Sequence, residues 1–288
     1  MKTINQITWR QKMAAYRGKP GSFLLFFLVN LAALLTVAVV LFLLIYVLAK
    51  GIPHLSWDLF SPHYTTENVS LLPALINTVI MTALSLLFAA PLGIFAAIYL
   101  VEYAKRGNRL VTLIRITAET LSGVPSIVYG LFGSLFFVMT LGMGLSILSG
   151  ALTLAIMILP LIMRTTEEAL KSVPDTYREG SFGLGAGRLR TVFRIVLPSA
   201  APGILAGVIL AIGRIVGETA ALMYTAGTVA EIPKNLLSSG RTLSVHMYAL
   251  SNEGLYTDQA FATAVVLLAL VLGVNALAGF IARKVAKG

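Results

Sequence analysis

The sequence contains no cysteine, and this absence excludes a disulfide framework and any metal site built on thiolates. Charged residues are also scarce: Asp, Glu, Lys and Arg make up 12% of the 288 residues, whereas a soluble domain has about 25%. Hydrophobic residues account for 57% of the chain. The composition therefore indicates an integral membrane protein.

Enzymatic signatures are missing as well. The glycine-rich stretch GLGAGR at 183–188 lacks the Lys and the Ser or Thr with which a nucleotide-binding loop holds phosphate and magnesium. The sequence has neither a Gly-x-Ser-x-Gly elbow nor a His-Glu-x-x-His pair. Its three histidines, His54, His63 and His246, are far apart in predicted loops. We therefore expect no catalytic residue, no metal and no cofactor in this chain.

Several apolar runs are long enough to cross a bilayer, which takes about 20 residues per helix. The first predicts a transmembrane helix at 23–49, after a basic segment at 1–22. Residues 116–163 are too many for one span, and the stretch at 141–150 divides them. The region 74–284 is predicted to hold five helices, at about 74–101, 117–140, 147–169, 201–226 and 260–282. The predicted fold class is an all-α membrane protein with six transmembrane helices.

The basic residues predict how the chain is oriented. Eighteen Lys and Arg fall in the N-terminal segment, two loops and the C-terminal tail, whereas the opposite loops hold three, Lys50, Lys234 and Arg241. Because cytoplasmic loops carry the excess of Lys and Arg, both termini are expected in the cytoplasm of a multi-pass plasma-membrane protein. The net charge of +10 thus reflects orientation, and no nucleic-acid partner is expected.

The most charged interruption of the apolar sequence lies between Thr165 and Pro198. Within it, 175–193 is typical of a short helix, a glycine-rich turn and a second, basic helical piece. Pro174 and Asp175 stand where a helix start is expected, since a proline followed by an acidic first turn suits unpaired amide groups. The helix should end at three glycines, Gly183, Gly185 and Gly187. Such a charged segment is a suitable contact for a soluble cytoplasmic partner.

Arg214 and Glu218 are the charged residues that lie within the fifth predicted span. They are four positions apart, so in one continuous helix they share a face and can form an ion pair. An Arg at the centre of a membrane helix costs about 2.5–3.5 kcal/mol on insertion scales, and such residues usually face a cavity or a partner. Two interpretations remain open: a pair that holds helices together, or a guanidinium presented to a passing oxyanion and oriented by Glu218.

The charged loop resembles the cytoplasmic signature of ABC importer permeases. Glu179, Gly180 and Ser181 are followed after three residues by Gly185, and after nine more by Ile-x-Leu-Pro at 195–198. The family has alanines in place of Gly180 and Ser181, so helix propensity is lower here. The resemblance implies a coupling loop at 171–198 whose helix docks on an ATPase subunit. The contact residues it implies are Pro174, Asp175, Tyr177, Arg178, Glu179, Gly180, Ser181 and Gly185.

Two further stretches sharpen this resemblance. ETLSGVPSIVYGLFG at 119–133 and GRIVGETAALMYTAG at 213–227 are similar to the phosphate branch of the ABC permeases, the PstA-type subunits. The resemblance implies a substrate pathway formed by Arg214, Glu218, Glu119, Ser126 and Tyr129. Gly123 and Pro125 are expected to shape a helix break that lines this pathway. Ordinary packing of membrane helices is the alternative role for these residues in the third span.

The resemblance also implies a type I ABC importer architecture and a set of partners. These are a homologous permease (PstC-type), two copies of an ATPase (PstB-type) that bind ATP and Mg, an extracytoplasmic phosphate-binding protein (PstS-type), phosphate and the lipid bilayer. The alternatives left open are a permease for molybdate, sulfate or phosphonate, a permease for amino acids or sugars, a non-transport membrane scaffold, and a secondary transporter. The stretches at 119–133 and 213–227 argue against amino acids and sugars.

Overall fold

The computed structural model describes residues 20–105 and 107–285, so residues 1–19 of the predicted cytoplasmic segment lie outside the described residues. The described residues form helices and loops and contain no β-strand, which confirms the predicted all-α class. The α-helices are α1 Pro20–Gly51, α2 Leu72–Ile98, α3 Arg109–Ser122, α4 Ser126–Gly133, α5 Ile147–Lys171, α6 Asp175–Gly183, α7 Arg188–Thr191, α8 Leu197–Val216, α9 Ala220–Thr225, α10 Leu243–Glu253 and α11 Thr257–Val285.

Four of these helices continue into, or begin from, wider π-helical turns. The turns are Tyr99–Tyr103 after α2, Ser134–Thr140 after α4, and Val192–Val196 between α7 and α8. Five continuous helical segments in the described part of the chain are long and apolar enough to cross a membrane, and the bent pair α3 and α4 makes a sixth if it counts as one span. The five are Gly21–His54, Leu72–Tyr103, Ile147–Lys171, Arg188–Val216 and Thr257–Phe280.

The chain divides after Lys50 into two units. The first contains α1, whose large apolar side chains are exposed along its length. A helix that is apolar all round is suited to lipid. The second unit is built around α5, which packs against α2, α8, α3 and α4. Leu154, Ile158 and Ile162 of α5 are fully buried, so this helix forms the centre of the core.

The span predicted at about 117–140 is two helices instead of one, because α3 and α4 meet at an angle of 102°. Gly123 follows the last residue of α3, and Pro125, which has no backbone N–H, stands directly before α4. The helix break therefore lies at the glycine and proline from which it was predicted.

The span predicted at about 201–226 is also interrupted. Helix α8 begins before residue 201, ends at Val216, and is followed by the short helix α9. Gly217 is the last residue with a helical backbone conformation. The Glu218 carboxylate accepts a hydrogen bond from the Ala221 backbone N–H at 3.1 Å. A side chain that accepts from the first turn of a helix favours a new helix start. Hydropathy alone does not detect this break, because apolar residues flank it on both sides.

The polar segment 227–256 folds onto the ends of α2 and α5. Asn77 of α2 is buried and donates hydrogen bonds to the carbonyl oxygens of Glu231 and Arg241, at 3.0 and 3.1 Å. The Ile147 backbone N–H, at the start of α5, donates to the Ser238 carbonyl at 3.0 Å. These bonds satisfy buried polar groups, so the segment is an ordered part of the second unit.

Within this segment, His246 of α10 is fully buried next to Tyr64 and Arg241. The Tyr64 ring stands edge-on to the imidazole at 6.1 Å, and the Arg241 guanidinium lies 4.7 Å from the Tyr64 ring centre. Burial, and then the charge of Arg241, lower the pKa of His246 from 6.5 to about 3. The imidazole is therefore neutral throughout the physiological range.

We expect the folded chain to lose stability as the pH falls below 6.5, the ordinary pKa of histidine. Above that pH His246 is neutral in both the folded and the unfolded chain, whereas below it the unfolded chain binds a proton that the folded chain excludes. This one group should lower the free energy of unfolding by about 1.4 kcal/mol per pH unit. Thermal melting between pH 7.5 and pH 5 would show it, with a flatter profile for His246→Gln; equal slopes would assign the acid sensitivity to other groups.

Candidate functional site

The two interrupted spans meet at their breaks. Helices α4 and α9, which follow the two breaks, pack directly against each other. They approach closely at Gly130, where an added Cβ would lie 2.7 Å from the Ala221 Cα. Only a residue without a side chain allows two helix backbones to come this close. The packing therefore brings the end of α8, just before one break, near the start of α4, just after the other.

Arg214 and Tyr129 are two of the polar residues near this junction. Tyr129 is buried, and its hydroxyl donates to the Leu121 carbonyl at 2.7 Å, across the break between α3 and α4. The half-buried Arg214, in the last turn of α8, is close enough to Tyr129 for an electrostatic interaction. The Arg214 side chain makes no hydrogen bond or ion pair with any residue that the structure describes.

Glu218 does not pair with Arg214, in contrast to the pairing inferred from their spacing. Val216 and Gly217 end the helix between them, so the two side chains are no longer on one continuous helix face. Glu218 is 8% exposed, and its carboxylate bonds to Ala221 while its backbone carbonyl accepts from the Ser244 hydroxyl at 2.6 Å. The residue thus joins α9 to α10, and no acid among the described residues forms an ion pair with Arg214.

The other two residues predicted for the pathway lie on the two sides of the first break. Ser126 is the first residue of α4 and is half-buried. Glu119 is exposed on α3 and lines a cavity of about 200 Å³ between α3 and α5, together with Arg115 and Arg164. The structure thus places Tyr129 within electrostatic range of Arg214, whereas Glu119 lies in a groove between α3 and α5.

The loop 171–198 contains the two helices predicted for it. Pro174 caps α6 and Asp175 lies in its first turn. The helix ends in a Schellman motif: the Ala186 N–H bonds to the Ser181 carbonyl at 3.1 Å, and the Gly185 N–H bonds to the Phe182 carbonyl at 2.9 Å. Gly185 has φ of +80°, the left-handed conformation that this motif requires. The local prediction of helix, glycine turn and basic helix is confirmed.

Arg178 of α6 holds this loop to two membrane helices. Its guanidinium bonds to the Glu102 carboxylate at 2.7 and 3.1 Å, and also to the carbonyls of Leu170 and Val173 at 2.9 and 2.8 Å. The side chains of Arg178 and Glu102 are 14% and 8% exposed. The Asp175 carboxylate accepts a further hydrogen bond from the same guanidinium at 3.2 Å. One guanidinium therefore connects α6 with the end of α5 and with the π-helical turn that extends α2.

Ser181 holds the two loop helices to each other. Its hydroxyl forms a buried hydrogen bond of 2.8 Å with the Thr191 hydroxyl of α7. Ser181 and Arg178 therefore stabilise the loop from inside, although the resemblance implied partner contacts for them. Sequence reasoning missed Glu102 and Thr191. The available signal for Glu102 was a lone acid among the basic residues that follow the second apolar run.

The outward side of the loop is partly apolar. Tyr177 is 51% exposed and Leu184 is 91% exposed, while Glu179 and Gly180 are exposed beside them. A cavity of about 450 Å³ on this surface is lined by residues of both helices, including Tyr177, Gly180, Leu184, Gly185, Arg190 and Arg194. Exposed apolar groups rimmed by charge are typical of a protein interaction surface.

We expect Gly185→Ala to weaken the loop and Gly180→Ala to leave it intact. A Cβ at Gly185 meets no atom, but φ of +80° strains any L side chain there, at a cost of roughly 1–2 kcal/mol. A Cβ at Gly180 also meets open space, and its backbone is helical, so alanine should stabilise α6 by up to about 1 kcal/mol. Melting temperatures and co-purification of an ATPase subunit would separate the two variants. Equal melting temperatures would contradict the assigned role of the left-handed turn.

Comparison with known proteins places this arrangement among transport proteins. A model of the family described as "Binding-protein-dependent transport system inner membrane component" matches residues 89–287. The "Probable ABC transporter permease protein YqgI" of Bacillus subtilis is 34% identical over 248 residues, 80% of this chain and 83% of that protein. A "Phosphate transport system permease protein PstA" of Pasteurella multocida is 36% identical over 241 residues, 79% of this chain and 82% of that protein. PstA 1 of Mycobacterium tuberculosis is 43% identical over 155 residues, which are 54% of this chain and 49% of that protein.

Solved structures share the fold at low sequence identity. A bacterial alginate ABC transporter in complex with its alginate-bound periplasmic protein contains a chain that aligns with a TM-score of 0.68 and 16% identity, over 94% of this chain and 98% of that chain. The inward-facing MetNI methionine ABC transporter aligns with a TM-score of 0.57 and 18% identity, over 83% of this chain and 96% of that one. These two likenesses show that the chain shares their fold.

Proposed function

Because the chain belongs to the family of binding-protein-dependent transport system inner membrane components, we propose that it is the permease subunit of an ATP-driven importer of inorganic phosphate. The observation that carries the solute class is Arg214, a half-buried guanidinium without an acidic partner among the described residues, at the junction of two interrupted helices. A planar guanidinium in a site of low dielectric constant binds oxyanions through two parallel hydrogen bonds. Relatives described as phosphate permeases narrow the oxyanion to phosphate.

The pathway proposed around Arg214 uses the Ser126 hydroxyl as a donor, while Tyr129, whose hydroxyl donates to the Leu121 carbonyl, stabilises the break between α3 and α4. The interruption of both spans leaves polar backbone groups near the junction, and irregular backbone within a membrane is tolerated where it is buried in protein or lines a cavity. Glu218 maintains the break after α8. Glu119, in its separate groove, has no part in binding the solute in this proposal.

Energy for transport is proposed to enter through the loop 171–198. In this scheme a cytoplasmic ATPase (PstB-type), which holds ATP and Mg, contacts the exposed surface around Tyr177, Glu179, Gly180 and Leu184. Closure of two ATPase copies would move α6, and Arg178 would transmit the motion to α2 and α5. A homologous permease (PstC-type) forms the other half of the pathway, and an extracytoplasmic binding protein (PstS-type) delivers phosphate. Both termini are then cytoplasmic, as the distribution of Lys and Arg predicts.

Uptake of radiolabelled phosphate tests this proposal. The chain would be produced with its genomic neighbours in cells that lack their own high-affinity phosphate system, and sulfate and molybdate would serve as competitors. We expect ATP-dependent uptake of phosphate that unlabelled phosphate inhibits and that sulfate and molybdate do not. Uptake of sulfate or molybdate instead, measured with those anions labelled in the same cells, would assign the same mechanism to another oxyanion. A fully assembled complex that transports none of the three would reject the function.

A further inference from the structure

A second cluster of basic residues surrounds a cavity of about 470 Å³ where α6 joins the membrane helices. Its walls come from the π-helical turn after α2, from α3, from the end of α5 and from the start of α6. The volume is within the range of about 300–1,000 Å³ typical of sites for small ligands. The polar residues that line it include Lys105, Asn108, Thr112, Arg115, Lys171 and Arg178. We call it the basic cavity.

Positive charge is in excess around the basic cavity. Arg115 and Lys171 both approach the same carboxylate oxygen of Glu167, at 2.7 and 2.6 Å, so one acid serves two cations. Lys105 is exposed and makes no ion pair with any described residue. The acids that line the cavity, Glu102 and Asp175, are already bonded to Arg178. Lysine and arginine donors therefore remain for an anion after the internal ion pairs are formed.

Arg115 supplies an independent indication of a missing acceptor. Its Nε is buried, yet it has no hydrogen-bond partner among the described residues. A buried N–H without an acceptor is rare, because the group loses its bond to water and gains nothing in exchange. Arg115 thus combines an ion pair to Glu167 through Nη2 with an unused donor at Nε.

The position of the cavity indicates which anion reaches it. It lies where α2 and α5 leave their membrane-spanning stretches and the charged loop begins. Basic pockets between transmembrane helices at this level accept phosphate groups of lipids. Inorganic phosphate in the cytoplasm presents the same chemistry to the same donors.

We propose that the basic cavity binds a phosphate group, from an anionic lipid headgroup or from inorganic phosphate, and that the bound group stabilises the joint between α6 and the ends of α2 and α5. The site is distinct from the pathway at Arg214, and it does not depend on which solute the protein carries. Its occupant would set how firmly the loop 171–198 is held to the membrane helices.

The test uses the complete complex in nanodiscs and measures its melting temperature, because a ligand of the folded state raises it. One series compares phosphatidylcholine alone with mixtures that contain phosphatidylglycerol. The other titrates inorganic phosphate at constant ionic strength into phosphatidylcholine nanodiscs, with Arg214→Ala so that binding in the pathway is not counted. Melting requires no transport, so failure of the proposed phosphate import would leave this result interpretable.

Lys105→Gln is the first variant, because this exposed lysine has no ion pair with any described residue, and Lys105→Gln with Lys171→Gln is the second. Each lysine removed should weaken the apparent affinity of the complex for phosphatidylglycerol or inorganic phosphate about fivefold. Arg164→Gln is the matched control: Arg164 is an exposed cation of α5 that pairs with Glu168 and does not line the basic cavity. The melting temperature of the Arg164→Gln complex should rise with the ligand as that of wild type does.

The two series identify the source of the phosphate group. Stabilisation by phosphatidylglycerol that the lysine variants lose and Arg164→Gln keeps would assign the site to lipid. The same pattern with inorganic phosphate would assign it to the free ion. Stabilisation that is equal in the double lysine variant and in wild type, or no stabilisation in either series, would overturn the proposal.

Discussion

Replacement of Arg214 by alanine is expected to abolish uptake while the complex still assembles. The guanidinium is half-buried near Tyr129 and has no described acid to neutralise it. Hydrogen bonds to a charged group contribute about 1.5–3 kcal/mol each, so the loss of two such bonds to phosphate should reduce uptake at least about 100-fold. Radiolabelled uptake and co-purification of the partner subunits are the two measurements.

Arg214→Lys distinguishes the shape of the guanidinium from its charge. Lysine keeps the positive charge but loses the two parallel donors, so we expect uptake between that of wild type and Arg214→Ala. Tyr129→Phe removes only the hydroxyl that bonds to Leu121. It should reduce uptake less than Arg214→Lys or Arg214→Ala does. Wild-type uptake in Arg214→Ala would remove this residue from the pathway and leave the helix junction as a packing feature.

Replacement of Glu102 by alanine is expected to uncouple ATP hydrolysis from transport and to destabilise the chain. It leaves the Arg178 guanidinium, which is 14% exposed, without its main partner. Breaking a buried ion pair by removing one partner costs about 3–5 kcal/mol. Because Arg178 joins α6 to α2 and α5, the ATPase should then run with less phosphate moved per ATP. Melting temperature and the ratio of uptake to hydrolysis in proteoliposomes would measure the two effects.

Glu168→Ala is the matched control, because it removes an exposed ion pair within α5, Arg164 with Glu168. Such a pair contributes at most about 0.5 kcal/mol, so stability and coupling should be unchanged. Exchange of the two charges, with Arg at 102 and Glu at 178, should not restore coupling, since a carboxylate at 178 would face the carbonyls of Leu170 and Val173. Normal coupling in Glu102→Ala would show that the motion passes to the membrane helices by another route.

Several features of the chain were predictable because their causes are local. The helix of the loop 171–198 begins at Pro174 and ends at Gly185, and each residue acts through its own backbone conformation within one turn. The break at Gly123 and Pro125 has the same kind of cause. The apolar runs likewise indicated spans, because the length of a helix that crosses a bilayer depends only on the residues within it.

Partners across the fold were not predictable in this way. Arg178 was assigned to an external contact, yet its partner Glu102 is 76 positions away in the chain. Arg214 and Glu218 are correctly spaced for an ion pair, but a helix end between them separates the two side chains and gives Glu218 to α9 and α10.

The sequence by itself determined that this is a multi-span helical membrane protein with a charged loop of two helices, since composition, apolar length, proline and glycine act locally. Only the tertiary structure decided which charges are neutralised inside the protein and which remain available. Neutralisation depends on distances between helices that are remote in sequence, and these follow from packing around α5. The available charge at Arg214 and the excess charge in the basic cavity are both consequences of that packing.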